Sequence, residues 1–248
     1  MSKIKINTTL NYSPNFDPKK RKLKQIKFII FHYTGMKREK EAIEKLTNIK
    51  SKVSCHYFVK ANGEILCLVP NLYNAWHAGF SSWKNYKSLN KYSLGIEISN
   101  PGHNYKYNKF SDQQIKSIIN LSLFLIKKFK IKKKFILGHS DIAPDRKKDP
   151  GEKFPWKLLS KKRIGYWHNI NEKKLIKNRK ISLTKKEENQ FIINLFKIGY
   201  AKHSVKNKIE HLKLITKAFQ RRFRQDLING LVDKECLIIS KKLLKILK

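Results

Sequence analysis

Three short runs that are apolar at almost every position constrain this chain more than anything else in it. They lie in KFIIFHYT (27–34), YSLGIEIS (92–99) and KKFILG (133–138). Each is too short to be a helix and lacks the alternation of a half-solvated strand. Such runs read as strands buried on both faces, inside a sheet that helices cover. The segments between them supply the helices. REKEAIEKLTNI carries apolar residues at helical spacing, and a second pattern begins at Ser111. Ser111 with Gln114 three residues on makes a capping box, and Ile115, Ile118, Ile119, Leu121, Leu123, Leu125 and Ile126 follow.

SCHYFVKANGEILCLVP (54–70) holds two β-rich runs around Asn62-Gly63, a hairpin signal. Asn100-Pro101-Gly102 stops the strand of 92–99. The order strand, helix, hairpin, strand, helix, strand predicts an α/β domain with a central mixed sheet flanked by helices. Residues 1–24 are polar and read as an extended lead-in, and the α/β unit spans about 25–165. A polar stretch, 166–184, reads as a linker. Within 185–248 lie three helical segments, EENQFIINLFKIG, KIEHLKLITKAFQRRF and DKECLIISKKLLKIL, which predict a small three-helix bundle. The total of 248 residues suits one domain of about 150 residues with a smaller one behind it.

The formal net charge is +38, which raises the question of nucleic acid. Of the 56 basic residues only eight are arginine, the residue suited to bidentate recognition of phosphate and guanine. The lysines are also spread along the whole chain. The charge predicts non-specific attraction of anionic polymers and no specific nucleic-acid partner. The three cysteines, Cys55, Cys67 and Cys236, are odd in number and show no CxxC spacing, so reduced thiols are expected. No stretch reaches the roughly 18 apolar residues of a membrane span. The N-terminus has no continuous apolar signal region, so the expectation is a cytoplasmic monomer, with the cell envelope as the other possibility.

His32 closes the apolar run FIIFH, and His139 closes FILGH. Catalytic and ligand-binding groups in α/β folds gather at the carboxyl ends of strands, so one sheet can hold both imidazoles together. A catalytic zinc takes three protein ligands and leaves a fourth position for water. Asp149, in a DPG turn ten residues beyond His139, is a candidate third ligand, with Asp141 and Asp145 as rivals. Asp141 could equally cap the local turn, and Asp145 could be solvated. Glu97 inside LGIEIS is the candidate base, because a carboxylate in an apolar strand is costly without a role. The alternative is a strand residue that faces solvent. Lys147 is a candidate cation for a developing oxyanion.

FHYTG, SCHYFV, LVP, AWHAG, LGIEISN and GHSDIAPDRKKDPG with the following FPW resemble, in order and spacing, the zinc-dependent N-acetylmuramoyl-L-alanine amidases of the AmiD/AmpD type. That family shares its fold with phage lysozyme-like amidases and animal peptidoglycan recognition proteins. The resemblance covers about residues 25–165. It implies Zn2+ bound by His32, His139 and Asp149, with Glu97 as catalytic carboxylate and Lys147 as oxyanion-stabilising cation. It places Trp76 and His77 along a substrate groove and Asn100 at a polar position after the catalytic strand. His56 falls at a position read as structural. AFQRRFR and NGLVD in the C-terminal segment look like an appended peptidoglycan-binding domain. The implied substrate is peptidoglycan or a muropeptide, cut between the lactyl group of N-acetylmuramic acid and L-alanine. Two other classes stand beside this. A recognition protein that binds without cleaving would be expected to lack a ligand or the base, and all four are present here. A basic scaffold for nucleic acid has only the charge behind it.

Overall fold

A computed structural model describes residues 6–202 and 207–248. Residues 1–5 of the expected lead-in, and 203–206 of the C-terminal segment, lie outside them. The central sheet has six strands: β1 (Thr9–Leu10), β2 (Phe28–Tyr33), β3 (Tyr57–Val59), β4 (Ile65–Cys67), β5 (Ser93–Ile98) and β6 (Ile136–Gly138). Their spatial order is β1-β4-β3-β5-β2-β6. Only the β3–β4 hairpin is antiparallel; the other neighbours run parallel, so the sheet is mixed as expected. Gly63 turns the hairpin at φ 84°, a conformation open to glycine. The four strands β3, β5, β2 and β6 therefore end along one edge, where α/β folds place their sites.

Helix α1 (Glu39–Thr47) buries Ala42 and Leu46 against Phe58, Leu66, Leu68 and Cys55. Helix α2 (Asp112–Phe129) starts at the predicted capping box: the Ser111 hydroxyl accepts from Gln114 N at 3.1 Å, and the Gln114 carboxamide oxygen accepts from Ser111 N at 3.1 Å. Its residues Ile118, Leu121 and Leu125, one face at helical spacing, join Phe31, Ile96 and Ile98 in the main core. A four-residue helix, α3 (His139–Ile142), follows β6 directly, and α4 (Trp156–Lys161) and α5 (Glu172–Ile176) come next. His139 thus opens a helix rather than closing a strand.

The three C-terminal helices are α6 (Lys185–Ile198), α7 (Lys208–Phe223) and α8 (Lys234–Leu247). Gly199 ends α6, and Asn229-Gly230 precedes the turn into α8, as read from the sequence. Two expectations are altered by packing. The stretch 166–184 is more than a linker: Tyr166, Trp167 and Leu175 are buried in the main core, and Arg179 pairs with Glu235 at 2.7 Å. Phe191, Leu195, Phe219, Phe223 and Leu243 from the C-terminal helices share that same core. The lead-in is also held. β1 pairs with β4, and the buried Arg21 guanidinium donates to the carbonyls of Asn71, Asn90 and Ser93. The cysteines are all free thiols, Cys55 and Cys236 buried and Cys67 half-buried.

Candidate active site

The sheet register builds the site. His32 on β2 and Glu97 on β5 are paired residues of adjacent parallel strands, so both side chains leave the same face. Phe58 on β3 is paired with Glu97 and shares that face, which α1 covers. Two residues back along β5, Gly95 leaves room for the His77 ring; a Cβ there would lie 2.4 Å from His77 Cγ. The loop after β6 brings in the remaining groups. Ser140 N donates to Asp149 O at 2.8 Å, which closes the loop 140–149 on itself. Gly138 permits the close return, since a Cβ there would meet Pro150 Cδ at 2.6 Å.

The result is a tight triangle. His32 Nδ1 lies 2.9 Å from His139 Nδ1, and each lies 3.0 Å from Asp149 Oδ2. All three residues are buried, and they form a group that could hold a metal ion. A tetrahedral ion with ligand distances near 2.0–2.1 Å needs ligand atoms roughly 3.3 Å apart, close to these edges. Of the rival carboxylates, Asp145 is exposed, and Asp141 accepts from Gly138 N at 2.8 Å as a cap.

The outer hydrogen bonds decide which ring nitrogens carry protons. Ala78 O only accepts and lies 3.2 Å from His139 Nε2, so that nitrogen holds the proton and Nδ1 is bare. On the other side, Ser93 Oγ donates to Leu89 O at 2.7 Å. The same oxygen therefore accepts from His77 Nε2 at 3.0 Å. His77 Nδ1 is then a lone pair and accepts from His32 Nε2 at 3.0 Å, which leaves His32 Nδ1 bare as well. In the neutral rings, two imidazole lone pairs and a carboxylate oxygen thus face one another at hydrogen-bond distance. Such a group is repulsive until a cation lies among it, and the donor set suits zinc.

The electrostatics agree. Burial, and then the nearby His139, pull the His32 imidazole down to about 4, so it is neutral at pH 7. Burial alone would raise the Asp149 carboxyl, but positive charge and N–H donation on the histidine side, wherever a proton sits there, outweigh it and hold it ionised. Neutral imidazoles and an ionised carboxylate are the ligating forms. Glu97 differs. Burial in the cleft, and then the Asp149 charge, push its carboxyl up to about 8, while Lys147 and Lys45 act in the opposite direction. A cation at the triangle would bring it back down.

These groups line an open cleft of about 380 Å³, with Trp76 and Lys147 on its walls. Trp76 is half-buried, its indole N–H donating to Asp17 Oδ1 at 2.8 Å. His77 borders the cleft, but both ring nitrogens are engaged by His32 and Ser93, so it supports His32 more than it faces a groove. Asn100 is not brought to the cleft. Its carboxamide donates to Asn108 O and accepts from Gly102 N, each at 3.0 Å, and holds the loop after β5. His56, fully buried, accepts from Gly95 N at 3.0 Å, a structural role as read. Sequence reasoning missed Lys45 in the cleft and Arg146, whose guanidinium donates to Ala78 O and Phe80 O at 2.6 Å. Nothing in the sequence separates them from the other basic residues.

The sequence matches the N-acetylmuramoyl-L-alanine amidase family over residues 22–152, and the chain belongs to that family of amide hydrolases. N-acetylmuramoyl-L-alanine amidase AmiD of Escherichia coli is 34% identical over 233 residues, 89% of this chain and 83% of that protein. 1,6-Anhydro-N-acetylmuramyl-L-alanine amidase AmpD of Haemophilus influenzae is 39% identical over 106 residues, 42% of this chain and 55% of its own. The structure of E. coli AmiD in complex with the substrate anhydro-N-acetylmuramic acid-L-Ala-D-γ-Glu-L-Lys superposes with a TM-score of 0.78 at 32% identity, over 90% of both chains. AmpDh3 of Pseudomonas aeruginosa, in complex with anhydromuramic pentapeptide, superposes with a TM-score of 0.77 at 26% identity, over 100% of this chain and 99% of that one. Among the described residues no helix is long and apolar enough to cross a membrane.

Proposed function

We propose that this chain hydrolyses the amide between the lactyl group of N-acetylmuramic acid and L-alanine in peptidoglycan or its muropeptides, with zinc held by His32 Nδ1, His139 Nδ1 and Asp149 Oδ2. The observation that carries the reading is the converging set of lone pairs, fixed by tautomers that the protein itself dictates. Zinc bound there supplies Lewis acidity, lowering the pKa of a water from about 16 towards 7 and polarising the amide carbonyl. Glu97 accepts the proton of the attacking water and later returns it to the nitrogen of the leaving amine. Burial raises its carboxyl and a bound cation would lower it, and the opposition of the two suits a group that must both take and give a proton. Lys147 offers its ammonium to the oxygen on which negative charge develops. Trp76 gives the cleft an aromatic wall. His77 orients His32 and fixes its tautomer. The muropeptide complexes of the two structural relatives support the substrate class.

The test pairs two measurements on purified protein: zinc per chain, and release of L-Ala-terminated peptide from a muropeptide with and without chelator. One zinc with chelator-sensitive cleavage is expected. One zinc without cleavage of any muropeptide or intact sacculus would favour a recognition protein; no zinc would refute the ligand set.

A further inference from the structure

Asp141 lies in α3, two residues beyond His139, and is 1% exposed. Its carboxylate accepts from three donors. One is Gly138 N at 2.8 Å, on its own turn. The other two come from the C-terminal helical unit: Tyr200 Oη at 2.8 Å, just beyond α6, and the Arg222 guanidinium of α7. Arg222 is itself 1% exposed. It also donates to Ile136 O at 2.9 Å, and its guanidinium carbon stacks 4.2 Å from the Trp156 ring and 4.8 Å from Tyr166. One guanidinium therefore grips both ends of the segment 136–141, and His139 sits inside that grip. The segment carries Asp149 with it through Ser140 N.

We propose that Arg222 and Tyr200 are positioning residues of the active site, acting through Asp141, so that the C-terminal helical unit sets the affinity of the metal centre. A purely stabilising role accounts for the arrangement poorly. A buried ion pair recovers little beyond its own desolvation, and apolar residues of similar volume stabilise as well. What such residues do not supply is a fixed place for the backbone of Gly138 and His139. Two of the three ligand atoms depend on that place, and metal affinity is sensitive to supports of this kind. The helical unit is then a support of the candidate active site.

The inference rests on the ligand reading above, and the experiment separates the two. Zinc affinity is measured by chelator competition on full-length wild type, Tyr200→Phe, Arg222→Met and His139→Ala, with the visible spectrum of the cobalt-substituted forms and metal-free melting temperatures. His139→Ala should lose the zinc; if it keeps wild-type zinc, the ligand reading fails. Tyr200→Phe removes one hydroxyl and should fold, with zinc bound roughly tenfold more weakly and a shifted cobalt spectrum. Arg222→Met should be weaker still; if it does not fold, Tyr200→Phe alone decides. A Tyr200→Phe protein with wild-type zinc affinity and an unchanged cobalt spectrum overturns the proposal, even if its melting temperature falls.

Discussion

His32 and Glu97 stand side by side on the two central parallel strands, paired residue to residue. A slip of one position would turn Glu97 into the opposite layer of the core, so the register that builds the sheet also builds the site. Glu97→Gln is accordingly expected to keep the metal, because the carboxylate is outside the ligand triangle, and to lower turnover by about 10²–10⁴-fold. Metal content and single-turnover rates check this; near-normal turnover would place the base elsewhere.

Lys147 should behave differently from Glu97. Lys147→Met removes a charge that matters only as the oxyanion forms. Turnover should fall by about 10²-fold with KM little changed and zinc retained. A KM rise at constant turnover would assign the lysine to substrate binding instead.

Ser93 lies outside the His32–His139–Asp149 triangle, yet it sets the tautomer of His77 and through it that of His32. Ser93→Ala frees His77 to place its proton on the nitrogen facing His32. Zinc affinity should drop by about 10–100-fold while the fold is kept. Chelator competition that shows wild-type affinity would break the relay argument.

Metal-free protein should be most stable near pH 6.5. Burial holds His32 and His168 down to about 4, and His56 and His77 well below the ordinary 6.5. The unfolded chain takes up those protons first, so stability is lost as the pH falls from 6.5 towards 4. Glu97 acts in reverse. With its carboxyl pushed up to about 8, the folded chain keeps a proton that the unfolded chain has released, and stability falls as the pH rises towards 8. Four histidines dominate below 6.5, and Glu97 acts above it. Melting temperatures of chelator-treated protein at about pH 5, 6.5 and 8 should peak in the middle, and Glu97→Gln should abolish the upper decline. A wild-type melting temperature still rising at pH 8 would contradict the assignment.

Much of this was legible in the chain. Short runs apolar at almost every position read as interior strands, so β2 and β5 declared themselves; of the run 133–138 only Ile136–Gly138 is strand, after a 3-10 turn at Lys133–Phe135, and the Ser111 capping box marked α2 to the residue. Histidines at the ends of two such runs, with a carboxylate ten residues on, pointed to a metal group before any geometry. Three things were not legible. Asn100 and Trp76 both stood in family motifs, but only packing shows that one holds a loop and the other lines the cleft. Polar composition made 166–184 look like a spacer, because its few apolar residues, Tyr166, Trp167 and Leu175, show no period. Arg222 sits 81 residues from Asp141, and no local pattern announces a pair so far apart.

The hydrogen bond from Ser140 N to Asp149 O fastens the two ends of the loop 140–149 to each other. Within the loop, Asp141 and Lys147 are tied to the centre, but Asp145 and Lys148 can change without disturbing it. Asp145 and Lys148 already point outward, and Lys147 borders the cleft. Those two outward positions are where the chain can be rewritten, by evolution or by design, to meet a different stem peptide while the candidate hydrolytic centre stays as it is.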